Sequence, residues 1–223
     1  VKSEMAYQSA RRMREMKRDC EHAMVGVKNV KVAGDESTAR EMGSLYTYLG
    51  SYAANGNVGL PGSSMQVGAG AGVPPKGDGT DTGTAGTARD LDEALFKSAL
   101  ETLWTNSGGN ENVLAICNAK HRGIISDFTS AGTRYVTTDD KKLTASIDIY
   151  DGDYHTVTVT PDRYCLADTL FIVDSEYAKV SDLRPIHSYD LAKAGDSFRK
   201  QIVWETTLEV SNPRAHMGIT DLN

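Results

Sequence analysis

Residues 198–210 read FRKQIVWETTLEV, and the alternation of apolar and polar side chains in this stretch decides the fold class. Successive side chains of a β-strand point to opposite faces, so Trp204 and Leu208 share one face while Glu205 and Glu209 share the other. The run is longer than the usual strand of about five or six residues. We therefore expect one long strand, with Trp204 and Leu208 on its buried face and the two glutamates on the opposite face.

Shorter segments also have the composition or the alternation of β-strands: 113–117, 143–149, 157–159, 169–173 and 215–222. Residues 113–117 (VLAIC) form a short apolar run, which is typical of a buried strand. Asp151-Gly152 separates two of the alternating segments and is a strong signal for a β-hairpin turn.

The opening segment has the pattern of an amphipathic helix. Its apolar residues recur every three or four positions and form one stripe: Met5, Met13, Met16, Cys20, Ala23 and Met24. Basic residues lie on the remaining surface: Arg11, Arg12, Arg14, Lys17 and Arg18. Acidic residues alternate with them, which favours a solvated helix face over a nucleic-acid patch. The narrow stripe predicts a helix that lies along the surface of one body or along a neighbouring subunit.

Three further helices are expected. Asp90 fits an N-cap with Glu93 as its capping-box partner, and the helix that follows should stop at Gly108-Gly109. Its apolar residues are Leu91, Leu95, Leu100, Leu103 and Trp104. Asn118 can cap a short helix that continues through Ile125 to Phe128. Asp35-Glu36-Ser37-Thr38 precedes another short helical pattern, which runs through Met42 and Leu45. Because helices and strands are mixed without a regular βαβ alternation, the fold class is α+β.

A Gly-rich stretch extends from Gly50 to Gly86 and contains eleven of the 21 glycines of the chain. So long a segment without periodicity is uncommon inside a compact domain. Its backbone polar groups need partners, and a neighbouring subunit is one possible source. Glycine raises the entropic cost of ordering a chain, so we expect the amides of this stretch to exchange fastest in the isolated subunit.

The composition excludes several classes of protein. The net charge of −6 argues against a protein that neutralises many nucleic-acid phosphates. No apolar run approaches the roughly 20 residues of a membrane span, and the start has no signal-peptide core. Three dispersed cysteines, Cys20, Cys117 and Cys165, indicate reduced thiols rather than a disulfide framework; a nucleophile or a metal ligand is the less favoured interpretation.

No motif predicts catalysis or cofactor binding. Val73-Pro74-Pro75 follows the glycines at 68–72, so the helix that a dinucleotide fingerprint requires cannot begin there. Asp78, Asp81 and Asp90 lack the spacing of a calcium loop. Five scattered histidines form no zinc motif: His22, His121, His155, His187 and His216. We therefore expect no catalytic, cofactor-binding or metal residues, and a protein that is not an enzyme.

The later two thirds of the chain carry a succession of recognisable segments: Ala94–Trp104, Asn118–Arg122, Ile124–Phe128, Asp148–Tyr150, Leu183–Pro185, Leu191–Asp196, Glu205–Val210, Asn212–His216 and Ile219–Leu222. In this order they resemble the major capsid proteins of tailed bacteriophages, in the branch with the Hong Kong 97 shell fold. The Leu-Ala-Lys-x-Gly-Asp segment and the late Asn-Pro-x-Ala segment carry most of the resemblance. The Met- and Arg-rich opening helix is similar to the long spine helix of that fold.

The resemblance implies a Hong Kong 97-like subunit with a spine helix, peripheral β-strands and an axial domain. Residues 1–25 would form the spine helix of the peripheral domain, 26–87 a Gly-rich connection, 88–190 mainly the axial domain, and 191–223 C-terminal strands that return to the peripheral domain. Such subunits form hexamers and pentamers of an icosahedral phage or prophage capsid. Their partners would be copies of themselves, other virion proteins and packaged double-stranded DNA that is contacted non-specifically, with no membrane. Assembly would take place in the cytoplasm of the bacterial host.

The family has an N-terminal arm and an extended loop before the spine helix, whereas here the helix begins the sequence. We therefore expect a truncated or processed subunit that does not form shells unaided, although the complete protein does. Two alternatives stay open. The first is another virion structural protein, from the tail or a decoration. The second is an enzyme with a Gly-rich lid, which would require a cleft beside residues 50–86 lined by ionisable groups with perturbed pKa values.

Overall fold

A computed structural model of the protein describes residues 3–50, 64–107, 112–128, 149–193 and 195–223. The helices are α1 (Glu4–Val25), α2 (Leu45–Tyr48), α3 (Glu93–Ser107) and α4 (Ala119–Ser126). The strands are β1 (Met65–Gln66), β2 (Asn112–Cys117), β3 (Ile149–Asp151), β4 (Thr156–Pro161), β5 (Leu170–Val173), β6 (Ala178–Asp190), β7 (Lys200–Val210) and β8 (Met217–Ile219). A 3₁₀ turn, Pro213–Ala215, precedes β8. The mixture of helices and strands confirms the α+β class.

The described strands form a six-stranded mixed sheet and a separate two-stranded ribbon. The strand order in the sheet is β1-β8-β5-β2-β4-β3, and the ribbon pairs β6 with β7. The expected hairpin around Asp151-Gly152 is present as β3 and β4, which pair antiparallel. β8 lies inside the six-stranded sheet, where it pairs with β1 on one side and β5 on the other.

Both faces of the sheet are covered, and β5 illustrates the consequence. Leu170 and Ile172 belong to the core cluster under α3 and α4, whereas Phe171 and Val173 belong to a second cluster with Leu45 and other residues near α2. All four side chains of β5 are buried. A strand that is buried on both faces becomes a continuous apolar run, which explains why it could be recognised without alternation.

The helix starts follow local capping rules, with one correction. The Asn118 side chain accepts a hydrogen bond from the His121 amide at 2.9 Å, so the predicted cap of α4 is confirmed. The cap of α3 was expected at Asp90, but α3 begins at Glu93, and it is the Asp92 carboxylate that accepts from the Leu95 amide at 2.7 Å. Asp92 therefore acts as an N-cap without the predicted capping box, because Leu95 and not Glu93 stands three residues after it.

Two other expectations differ from the structure. Residues 35–38 form a turn in which the Asp35 carboxylate accepts from the Ser37 and Thr38 amides, so the helix begins only at Leu45. Trp104 was grouped with the apolar face of α3, but it is 58% exposed. The expected stop of α3 at Gly108-Gly109 and the alternation at 143–148 lie outside the described residues.

The Gly-rich stretch, in its described part, is bonded within its own chain rather than left for a neighbour. The buried Asp221 carboxylate accepts from the Gly68 amide at 2.7 Å and from the Gly86 amide at 3.0 Å. A Cβ on Gly86 would lie 2.3 Å from the Gly68 carbonyl oxygen, so only glycine permits this approach. Asp221 itself has a positive φ of 58°. Its carboxylate therefore fixes two glycine-rich loops beside the edge strand β1.

Asp221→Ala should lower the free energy of unfolding by about 2–4 kcal/mol, because two amides lose a charged acceptor and alanine does not favour a positive φ. Asp221→Gly removes the same acceptor but relieves the backbone, so it should be about 1 kcal/mol more stable than the alanine variant. Urea unfolding of both variants tests this. A decrease in the free energy of unfolding of less than about 0.5 kcal/mol for Asp221→Ala would show that the two loops keep their structure without the carboxylate.

Candidate assembly surfaces

The ribbon β6–β7 leaves the sheet as a long antiparallel pair. Its register changes twice, between Asp182 and Arg184 and between Arg184 and His187, so β6 carries two more residues than β7. These irregularities and Pro185 remove the alternation from the β6 sequence, and for that reason sequence analysis did not detect this strand.

The two sides of the ribbon differ in chemistry. One side, here called the apolar side, carries Ile202, Trp204 and Leu208 from β7. The other, the ionic side, carries cross-strand pairs: the Arg184 Nε donates to Glu205 at 2.6 Å, and Glu209 accepts from Ser181. The hydrogen bond from Arg184 lowers the pKa of Glu205, although desolvation opposes it. Because these pairs are exposed, they contribute more to the register of β6 against β7 than to the stability of the fold.

Helix α1 lies along the apolar side. It packs on β7. Burial raises the pKa of the Cys20 thiol on α1, and the nearby charge of Asp182 raises it further. A 22-residue helix is about 33 Å long and an 11-residue strand is about 36 Å, so α1 and the ribbon are of similar length. Ser3 caps the helix by accepting from the Ala6 amide at 3.4 Å.

The methionine stripe of α1 is confirmed as the less exposed side of the helix. Met5, Met13 and Met16 are half-buried and Met24, near the body, is buried. The basic residues are exposed, and Arg12 donates to Glu15 at 2.6 Å within the helix. Methionine suits this contact because its flexible side chain adapts to a surface covered on one side only.

Trp204 is less enclosed than expected. It lies on the predicted face, opposite Glu205 and Glu209, but it is half-buried, and its indole Nε1 donates to Asp182 at 2.8 Å. Leu208 is also half-buried and packs against the core cluster near α2. The reason is architectural: the strand belongs to a two-stranded ribbon, which has a helix on one side and no second sheet.

The described ribbon and its connecting segment expose large apolar side chains from root to tip: Val180 (53%), Leu183 (79%), Tyr189 (50%), Leu191 (45%) and Phe198 (71%). At the tip, a cleft of about 780 Å³ lies between the first turn of α1 and the Leu191–Lys200 end of the ribbon. The Lys193 Nζ lies 4.1 Å from the centre of the Phe198 ring. Leu191 and Phe198 both line this cleft, and exposed apolar side chains grouped in this way are typical of protein–protein contacts.

Site chemistry is sparse among the described residues. They contain no group of three His, Cys, Asp or Glu side chains placed to hold a metal ion, and no described helix is long and apolar enough to cross a membrane. Burial raises the pKa of Cys117 to about 11 and of Cys165 to about 12, so both thiols stay protonated, while Cys20 is only half-buried. The cleft beside the Gly-rich residues is lined by Val73 and by the exposed pair Lys76–Asp81, 3.7 Å apart.

Met16→Asp should lower the free energy of unfolding by about 1–3 kcal/mol, because it places an unpaired charge in the contact between α1 and the ribbon. The cost is less than for a fully buried site, since Met16 is half-buried. Lys17→Asp introduces the same group on the exposed side of the same helix and is the matched control. Thermal unfolding followed by tryptophan fluorescence measures both. Equal melting temperatures for the two variants would contradict the packing of α1.

The solved structures that are similar to this chain include a phage procapsid and a virus-like particle. The satellite phage P4 procapsid, including size determination (Sid) protein, is similar with a TM-score of 0.51 and 13% identity, over 97% of this chain and 64% of that chain. A virus-like particle from Pyrococcus furiosus has a TM-score of 0.37 and 15% identity, over 60% of this chain and 55% of that chain. The chain therefore spans less than two thirds of the length of either structure.

Sequence comparison identifies the family directly. No curated protein matches the chain. The family model described as SU10 major capsid protein, however, matches residues 1–223. The chain belongs to the SU10 major capsid protein family.

Proposed function

We propose that the subunit has the Hong Kong 97-type shell fold and that copies of it form the hexamers and pentamers of an icosahedral capsid around double-stranded DNA. In this proposal α1 is the spine helix, and α1 with the ribbon makes up the peripheral domain. The six-stranded sheet with α3 and α4 makes up the axial domain. The similarity to the P4 procapsid over 97% of the chain supports the fold part of the proposal.

One observation carries the assembly part: the ribbon exposes apolar side chains that the described chain does not cover. An isolated two-stranded ribbon is marginal in water, and here α1 covers only one of its sides. Leu183 and Phe198 are more than two-thirds exposed, so ordering them in the free subunit gains little hydrophobic free energy. A neighbouring subunit would supply the missing contacts. Each contact can be weak, because a closed shell repeats it many times.

The charge of the subunit is consistent with DNA as non-specific cargo. The net charge of −6 opposes tight binding to phosphates. The exposed arginines of α1 are interleaved with acidic residues, and Glu15 lies near both Arg11 and Arg12. An inner capsid surface with this charge holds packaged DNA without binding it tightly. Other virion proteins are further proposed partners, and the host cytoplasm is the proposed place of assembly.

Phe198→Asp in the complete capsid protein should abolish or strongly reduce shell formation while the subunit stays folded, because an exposed ring contributes little to the subunit core. Phe198→Tyr keeps the ring and is the matched control, which should assemble normally. Sedimentation and electron microscopy measure assembly, and circular dichroism measures folding. Regular shells from Phe198→Asp at the yield of the control would remove the ribbon tip from the proposed contacts.

A further inference from the structure

The ribbon is joined to the sheet by two chain crossings that lie side by side. On the outward path, β5 ends at Val173 and a turn over 174–177 leads into β6. On the return path, β7 ends at Val210 and the 3₁₀ turn leads into β8. The Ser211 amide donates to the Tyr177 carbonyl oxygen at 2.8 Å, so the two paths are already in contact where the ribbon begins. Any movement of the ribbon relative to the sheet must bend both crossings.

One imidazole joins the two crossings inside the protein. His216, immediately before β8, is fully buried, and Asp174, immediately after β5, is 3% exposed. The Asp174 backbone amide donates to the Nδ1 atom of His216 at 3.1 Å. Nδ1 can accept this hydrogen bond only while it carries no proton, so the ring must be neutral, with its proton on Nε2. The hydrogen bond between the Asp174 amide and His216 therefore exists only while the His216 ring is neutral.

The same turn depends on Asp174 for its shape. Its carboxylate accepts from the Glu176 amide at 2.8 Å, and its carbonyl oxygen accepts from the Tyr177 and Ala178 amides at 3.2 Å each. The amide held by His216 thus belongs to the residue that organises the start of β6. Loss of that bond loosens the turn at the point where the ribbon leaves the sheet.

We propose that His216 is a proton-sensitive latch: while neutral it locks the ribbon and α1 to the sheet, and when protonated it releases them as a hinged arm. This property belongs to the single subunit and does not depend on how copies assemble. A second proton on the ring would place an N–H group against the Asp174 N–H group, so the bond is replaced by repulsion. The sheet keeps its own hydrogen bonds and the core cluster under α3 and α4, whereas the contacts of Leu208 and Val210 with the second cluster open when the arm is released.

The direction of the pH dependence follows from burial. Desolvation lowers the pKa of His216 to about 4, even though the Asp174 carboxylate and a hydrogen bond with the Tyr177 backbone favour the proton. An exposed histidine in the open arm has an ordinary pKa of about 6.5. The closed form is therefore fully favoured above pH 6.5 and loses ground as the pH falls towards 4. The ratio of closed to open subunits falls by about 80-fold between pH 6.5 and pH 4, and by about 300-fold in the limit below pH 4.

The other charged groups around the latch are few. Glu176 lies in the outward turn and Arg214 in the 3₁₀ turn. Helix α3 packs against the 3₁₀ turn and β8, but its Glu93 and Lys97 pair with each other at 2.9 Å and Glu101 is exposed. At the root of the ribbon, Lys179 and Glu209 also pair with each other. Among these groups, Asp174 is the one whose charge acts on the ring.

The test is nuclear magnetic resonance of the ¹⁵N-labelled subunit between pH 7.5 and 3.5. We expect the Asp174 amide and the amides of β6 and β7 to lose protection and gain mobility as the His216 ring titrates, with the same midpoint. Amides of β2 and β5 should stay protected. His216→Asn keeps an acceptor for the Asp174 amide but binds no proton, so its ribbon should stay ordered at every pH in this range. His121→Asn removes another buried histidine away from the crossings and should behave like the wild-type protein.

Three results would overturn the proposal. The ribbon amides could stay protected although the His216 ring has titrated. The sheet and the ribbon could lose protection together, which would be global acid unfolding. His216→Asn could release its ribbon at the same pH as the wild-type protein. If His216→Asn does not fold, the wild-type titration still decides, because midpoints of ring and ribbon that differ by about one pH unit or more exclude the latch.

Discussion

The fold depends on the carboxylate of Asp221, which holds two glycine-rich loops beside the edge of the six-stranded sheet. Asp221 accepts amide hydrogen bonds from two glycine-rich loops, and its own backbone carbonyl accepts from the Arg89 amide at 2.8 Å. The Arg89 guanidinium in turn donates to the Gln66 carbonyl oxygen on β1 at 2.9 Å. A buried negative charge is costly unless it is hydrogen-bonded, and here each bond also positions a segment that has few apolar side chains of its own. The Gly-rich stretch is thereby organised by polar contacts, whereas the rest of the body is organised by hydrophobic packing.

The two parts of the subunit obey different physical rules. The body buries apolar side chains on both faces of its sheet and is complete as a packed unit. The arm of α1 and the ribbon has one covered interface and one ionic side, and it exposes apolar side chains such as Phe198 at its tip. Such an arm gains most of its order from what it touches, as the proposed contacts with neighbouring subunits require. The latch proposed at His216 lies between these two parts.

Sequence analysis predicted what depends on local chemistry. A few neighbouring residues are enough to predict each of four features: the Asn118 cap, the hairpin at Asp151-Gly152, the apolar strand before Asp174 and the methionine stripe of α1. It missed β6 because register shifts and Pro185 hide the alternation, and it overestimated the burial of Trp204 because alternation reports which face a residue occupies but not what covers that face. The role of Asp221 was also invisible, since its partners are 153 and 135 residues away in the chain. The interaction surface could be inferred only from a resemblance, because no motif encodes the exposed ribbon tip.

The position of β8 inside the sheet has a consequence for the order of events during synthesis. β1 pairs only with β8 among the described strands, and Met65 is aligned with Gly218, so the edge of the sheet stays unpaired until the ribosome has made almost all of this sequence. Closing so long a loop is entropically slow, and pairings of this kind retard folding. The ribbon, in contrast, pairs across a short connection and can form while the body is still incomplete. A nascent chain thus exposes the apolar tip of its ribbon before its sheet is completely paired, and it needs protection from premature association during that interval.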